Sequence, residues 1–172
     1  PIMFGLDGMN QAAYAAGQPI PNIIGMAFSY SMTIAVLYPA FALAVLIFSK
    51  SNQLKTVGKI SIAPAFFGIS EPLMFGVPVV MNPFMAIPWI ISPTVNVLLG
   101  WLACSSGLVA RYAGVTVFNF PMGVTGILNG SFTIAILEVV VCIIDVLIFM
   151  PFVRIQDKKY IDAEKAAETE QN

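Results

Sequence analysis

Between Lys59 and Arg111 the chain carries one charged side chain, Glu71. A fold that meets water cannot cover its surface with so few charges, so lipid must serve as solvent for this stretch. The whole chain agrees: 58% of residues are hydrophobic, 10% are charged and the mean hydropathy is +0.86. Soluble domains carry about 25% charged residues. Most charges fall in two clumps, Lys50, Lys55 and Lys59, then Arg154 to the end. The net charge of -1 therefore says nothing about partners, and no nucleic acid is expected.

Phe28 to Phe48 is free of charge and, at 21 residues, long enough to cross a hydrocarbon core of about 30 Å. Pro39 predicts a kink, which neighbouring helices tolerate in a membrane. A polar loop, SKSNQLKTVGK, follows at 49 to 59. Residues 60 to 110 are mostly apolar, but Pro64, Pro72, Pro78, Pro83, Pro88 and Pro93 punctuate their first two-thirds, which argues against uninterrupted spans there. A span is predicted from near Ile90 to Ala110. Arg111 to Ser131 is Gly-rich and reads as irregular. Ile134 to Val153 is a further span, carrying Glu138 and Asp145.

At the start, a short helix is predicted around Asn10 to Ala16 and a turn at Gly17-Gln18-Pro19. The chain opens on Pro1 without a basic, then apolar, leader, and reads as a cut within a larger protein. The last residues, RIQDKKYIDAEKAAETEQN, read as a solvated helix that frays.

Charge sets the topology. The lysine loop and the cluster Arg154, Lys158 and Lys159 are both expected on the cytoplasmic side. An even number of crossings must separate them, and the two later spans already supply two. Residues 60 to 89 must then enter and leave on one side, as a proline-rich re-entrant hairpin. Non-helical backbone at that depth needs protein or a watery cavity around it. The expected fold is an all-α membrane protein of transmembrane helices with a re-entrant hairpin. Residues 1–153 form its membrane part and 154–172 a charged cytoplasmic tail.

Glu71 lies inside that hairpin, in Gly68-Ile69-Ser70-Glu71-Pro72. An ionisable group at membrane depth costs about 2.5–3.5 kcal/mol on insertion scales and faces a pathway or a partner. Broken helical elements are where transporters build substrate sites; the plainer reading is that Glu71 only holds the hairpin shut. A carboxylate suits a sugar because it accepts hydrogen bonds from two hydroxyls. Asn82, Asn96, Asn10 and Gln18 add donors and acceptors, and Tyr14, Trp89, Phe118 and Trp101 offer flat faces. Glu138 and Asp145, seven residues apart, share a helix face. Either a proton or cation path or a polar helix contact accounts for them. Cys104 and Cys142 lie in apolar runs and read as packing residues. With no histidine, phosphohistidine chemistry is excluded on this chain. No phosphate-binding loop or metal cluster is legible, so no catalytic residue, cofactor or metal is assigned.

The run APAFFGISEPLMFGVPVVMNPFMAIPWIISP at 63 to 93 resembles enzyme IIC of the lactose/cellobiose/diacetylchitobiose family of the bacterial phosphoenolpyruvate-dependent phosphotransferase system. AAYAAGQPIPN at 12 to 22 and SKSNQLKTVGKISIAP at 49 to 64 are similar to the same family, in the same order. The resemblance implies a multi-pass permease of the bacterial inner membrane that takes up a disaccharide while the sugar is phosphorylated. It places the family's sugar-binding glutamate at Glu71, while Asn82 and Phe118 are the further candidate sugar contacts by their own chemistry. It also implies an enzyme IIB partner whose phosphocysteine supplies the phosphoryl group, and a homodimer formed through an amino-terminal half. The permease would then be the membrane subunit of a phosphotransferase. The family's sugar-site histidine has no counterpart here, and Phe118-Asn119-Phe120-Pro121 stands where the family often has a tryptophan ahead of a proline. Two other readings stay open: an ion-coupled secondary transporter using Glu71, Glu138 and Asp145, and a membrane scaffold.

Overall fold

Three helices are long and apolar enough to cross a membrane, Met26–Phe48, Pro83–Ser105 and Phe132–Ala166, and the first is the most enclosed by the others. They come from a computed structural model that describes residues 1–77, 79 and 82–170. Pro78, one of the prolines expected to break the hairpin, and the last two residues of the tail lie outside the described residues. The elements are α1 (Ile2–Ala15), α2 (Met26–Tyr30), a π turn (Ser31–Ala35), α3 (Val36–Phe48), α4 (Asn52–Phe66), α5 (Glu71–Gly76), α6 (Pro83–Ser105), α7 (Val124–Leu128) and α8 (Phe132–Glu170). All are helical, as expected.

The first span runs through α2, the π turn and α3 without interruption. Pro39 sits inside α3 and has no N–H for the carbonyl of Ala35, the residue at which the π turn ends. The span packs most closely against α8 and α4. Phe41, Phe149 and Trp89 interlock there, with ring centroids 4.8–5.8 Å apart. On α6 the residues Pro88, Ser92, Asn96, Gly100 and Cys104 recur every fourth position, and all are buried. This stripe of mostly small residues lets backbones approach closely: Gly100 lies against Met32 and Phe28 of the first span.

The re-entrant hairpin is present and lies earlier in the chain than expected, from Asn52 to Asn82 rather than from Ile60 to Trp89. The polar loop shrinks to Ser49–Ser51, and Lys55 and Lys59 ride on α4. Helix formation begins early because α4 is capped twice. Ser51 accepts from Leu54 N at 3.0 Å. Two carboxylates of α8 hold the amides just before and inside the first turn. Asp157 accepts from Lys50 N and Ser51 N, both at 2.9 Å, and Glu164 from Asn52 N and Gln53 N at 3.3 and 3.0 Å. The chain returns at Asn82, whose side chain caps α6 and donates to Gln156 at 3.3 Å. Gln156 and Asp157 are neighbours, so both ends of the hairpin are fastened to one turn of α8, and the hairpin leaves the side it came from.

The later span begins at Pro83 rather than near Ile90. Pro83 occupies the first turn, where its missing N–H costs nothing, and Pro88 and Pro93 are absorbed inside the helix. The charged tail continues α8 without a break to Glu170. Between α6 and α8 the irregular segment forms a second inward loop: Ala110 N reaches Thr133 Oγ1 at one end, and Ala113 N reaches the Asn129 carbonyl. Helix α7 closes on α8 so tightly that a Cβ on Gly126 would lie 2.5 Å from Ala135 N and 2.8 Å from its Cα. Backbone cannot yield as a side-chain tip can. Gly126→Ala is therefore expected to destabilise the protein by about 2 kcal/mol, read as a lower melting midpoint in detergent; an unchanged midpoint would remove this contact from the argument.

Candidate functional site

Two turn tips meet beside Tyr30. The first tip is built by the end of α4, where Gly68 N bonds to the Ala65 carbonyl and Ile69 N to the Pro64 carbonyl, both at 3.0 Å. This is a Schellman termination, and it needs a left-handed residue, supplied by Gly68 at φ +73. Ser70 then starts α5, its carbonyl accepting from Leu73 N and Met74 N at 3.0 and 2.9 Å. Leu73, fully buried, anchors the short helix. Glu71 is left exposed at the tip, and its carboxylate makes no hydrogen bond or ion pair with the described residues.

The second tip carries Phe118 and Asn119. Asn119 takes a left-handed backbone, φ +58, and its N–H donates to Tyr30 Oη at 2.8 Å. Phe118, 55% exposed, meets the Tyr30 ring edge-on at 5.1 Å. The same Tyr30 oxygen would lie 2.8 Å from a Cβ on Gly68, and Asn119 Oδ1 would lie 3.6 Å from it. One hydroxyl thus joins both tips. The first tip carries the exposed Glu71 and the second the half-exposed Phe118, residue types suited to a ligand with hydroxyls and an apolar face.

Other expected sugar contacts are already engaged. Asn10 is buried, bonding Asn22 N and Asn22 O at 3.0 Å and the Tyr112 carbonyl at 3.1 Å. Asn96, fully buried, donates to Asp145 Oδ2 at 2.7 Å. Trp89 belongs to the aromatic core. Tyr14, Gln18 and Trp101 are exposed, outside the two tips. Asn82 is at the far end of the hairpin from Glu71, with its amide spent on the α6 cap and Gln156. Along its axis α4 alone extends about 22 Å.

Glu138 and Asp145 do not form a path. Glu138 is fully buried and accepts from Ser31 Oγ at 2.5 Å, Gly123 N at 2.6 Å and Thr125 Oγ1 at 2.7 Å. Asp145 contacts α6 through Asn96, and its second oxygen has no partner among the described residues. These are polar helix contacts, and the ion-coupled alternative has no support. Sequence reasoning missed Tyr30, Ser31 and Asn119. Asn119 did leave a trace, because asparagine is enriched at left-handed positions, and Asn119-Phe120-Pro121 precedes the Gly-rich turn.

Three helices long and apolar enough to cross a membrane, with two loops between them whose tips meet at Tyr30, define a multi-pass membrane protein. The chain belongs to the family described as "Phosphotransferase system, EIIC", which matches residues 1–93. It is 37% identical over 171 residues to the oligo-beta-mannoside-specific EIIC component of Bacillus subtilis (strain 168), covering 96% of this chain and 39% of that protein. It is 33% identical over 178 residues to the lactose-specific EIICB component of Lacticaseibacillus casei, covering 98% of this chain and 30% of that protein. A solved structure with TM-score 0.90 and 37% identity covers 96% of this chain and 40% of its own: the transporter ChbC, the IIC component from the N,N'-diacetylchitobiose-specific phosphotransferase system. The chain therefore spans about two-fifths of the length of these relatives, less of the EIICB protein.

Proposed function

We propose that the protein is the sugar-permease component of a phosphoenolpyruvate-dependent phosphotransferase system, moving a disaccharide of the cellobiose, chitobiose or lactose type across the bacterial inner membrane as it is phosphorylated. The observation that carries this reading is an exposed, unpartnered Glu71 three residues along the chain from Gly68, the residue at which the two turn tips meet. There it accepts hydrogen bonds from sugar hydroxyls, charge-assisted and about twice as strong as neutral ones. Phe118 covers an apolar ring face. Asn82, near the lysine-bearing end, meets the sugar at the mouth rather than at its resting site. No residue of this chain carries the phosphoryl group. Enzyme IIB delivers it, a reading supported by the fused EIICB relative. The lysine-bearing end and the carboxy terminus face the cytoplasm, by the excess of Lys50, Lys55, Lys59, Arg154, Lys158 and Lys159 at that end. Residues 1–153 serve as the transport part and 154–172 as the cytoplasmic tail, and dimerisation runs through an amino-terminal half outside this sequence.

The test is uptake of radiolabelled cellobiose, diacetylchitobiose and lactose in cells supplying the phosphoryl-transfer partners. Wild type is expected to accumulate one of them as its phosphate, and Glu71→Gln to lose at least tenfold. Free sugar accumulating without the partners, or an unaffected variant, would overturn the reading.

A further inference from the structure

We propose that Glu138 is a positioning residue for the sugar site: through the π turn of the first span it holds the second tip in the geometry that presents Phe118 and Asn119 to Gly68 and Glu71. The inference rests on the disaccharide-site reading above and deepens it.

The segment from Asn119 to Thr125 has little regular structure, yet it is fastened at three points. Asn119 N binds Tyr30 Oη at 2.8 Å, Gly123 N binds Glu138 Oε2 at 2.6 Å, and Thr125 Oγ1 binds Glu138 Oε1 at 2.7 Å. The remaining bond to Glu138 comes from Ser31 Oγ, which also pairs with Tyr112 Oη at 2.8 Å. Tyr30 and Ser31 are consecutive, so two adjacent residues of the first span hold the tip of the second loop and its root. Glu138, Ser31 and Thr125 are each 2% exposed or less, and apart from the packing of Met122 on the core these are the hydrogen bonds that tie residues 119–123 to the bundle among the described residues.

The arrangement requires a carboxylate. Three donors converge on two oxygens, and a carboxylate accepts all three. Glutamine would turn an NH2 toward one of those donors and leave a buried N–H or hydroxyl unpaired. A tip freed in this way must be ordered by the sugar, so the loss falls on binding rather than on the transfer step.

The test compares Glu138→Gln and Tyr30→Phe in the intact permease, measuring sugar phosphate formed against sugar concentration, together with membrane abundance and melting midpoint. Each variant is expected to raise KM about tenfold, with the rate at saturating sugar kept within about twofold. Because both act on one segment, the double variant should raise KM far less than the product of the singles. Should Glu138→Gln fail to accumulate, Tyr30→Phe, which loses a single oxygen, carries the test alone. A KM unchanged in Tyr30→Phe, or effects that multiply, would overturn the positioning role. If Glu71→Gln is silent while these variants lose only abundance, the sugar-site reading fails; if Glu71→Gln loses uptake and these do not raise KM, this inference alone fails.

Discussion

Gly68→Val is expected, on the proposed sugar-site reading, to weaken disaccharide binding about a hundredfold, some 2.7 kcal/mol. Two costs fall on the same atom. At φ +73 a side chain adds about 1–2 kcal/mol of backbone strain. The new Cβ would also sit 2.8 Å from Tyr30 Oη, which is held in place by Asn119 N. The strain alone is separable from the contact. Gly17 has a similar φ of +67 and nothing within 4 Å, so Gly17→Val pays the conformational cost without displacing either tip. Equilibrium binding to the purified permease should show a large loss at residue 68 and little at 17. Equal losses would mean that general destabilisation, and not the junction of the tips, sets affinity.

Asp157→Ala is expected to lower stability by about 3 kcal/mol, because it strands two amides, Lys50 N and Ser51 N, that it holds at 2.9 Å each. Asp157 is 4% exposed, so water replaces it poorly. Asp157→Asn keeps one acceptor and should fall between the alanine variant and wild type. The midpoint of thermal unfolding in detergent orders the three. The loss should also appear as faster proteolysis near residues 49–53, or faster labelling of a cysteine introduced there, since that is where the first hairpin is fastened. An alanine variant as stable as the parent would show that α4 keeps its start without α8.

The membrane character, the spans and the return of the first hairpin were legible because they follow from bulk quantities: the absence of charge, the length of apolar runs and the parity of crossings. Glu71 stood out for the same reason, as a lone charge in an apolar run. What depended on partners far along the chain was not legible. The lysine segment is polar enough for a loop, and the local Ser51 cap is joined by Asp157 and Glu164, over a hundred residues later, in making it a helix start. Pro83 looked like a breaker until its place in the first turn of α6 was known. Asn10 and Asn96 have the right chemistry for a sugar, but asparagine serves backbone carbonyls and buried carboxylates equally well, and here it does. The fourfold spacing of Pro88, Ser92, Asn96, Gly100 and Cys104 was available as a sign of close packing and was obscured by the prolines among them.

The π turn at Ser31–Ala35 makes the attachment of the second loop depend on a count of residues. A π turn accommodates one residue more than α-helical winding would over the same rise, and each residue of an α-helix advances the direction by about 100°. Shortening this stretch by one residue would let the span wind as a plain α-helix from Met26 to Phe48, with α3 still seated on α8 and α4. Tyr30 and Ser31 would then face another sector of the bundle, away from Asn119 and Glu138. In this span an insertion or deletion of one residue is a rotation, and the two hydroxyls that organise the site share a single angular setting.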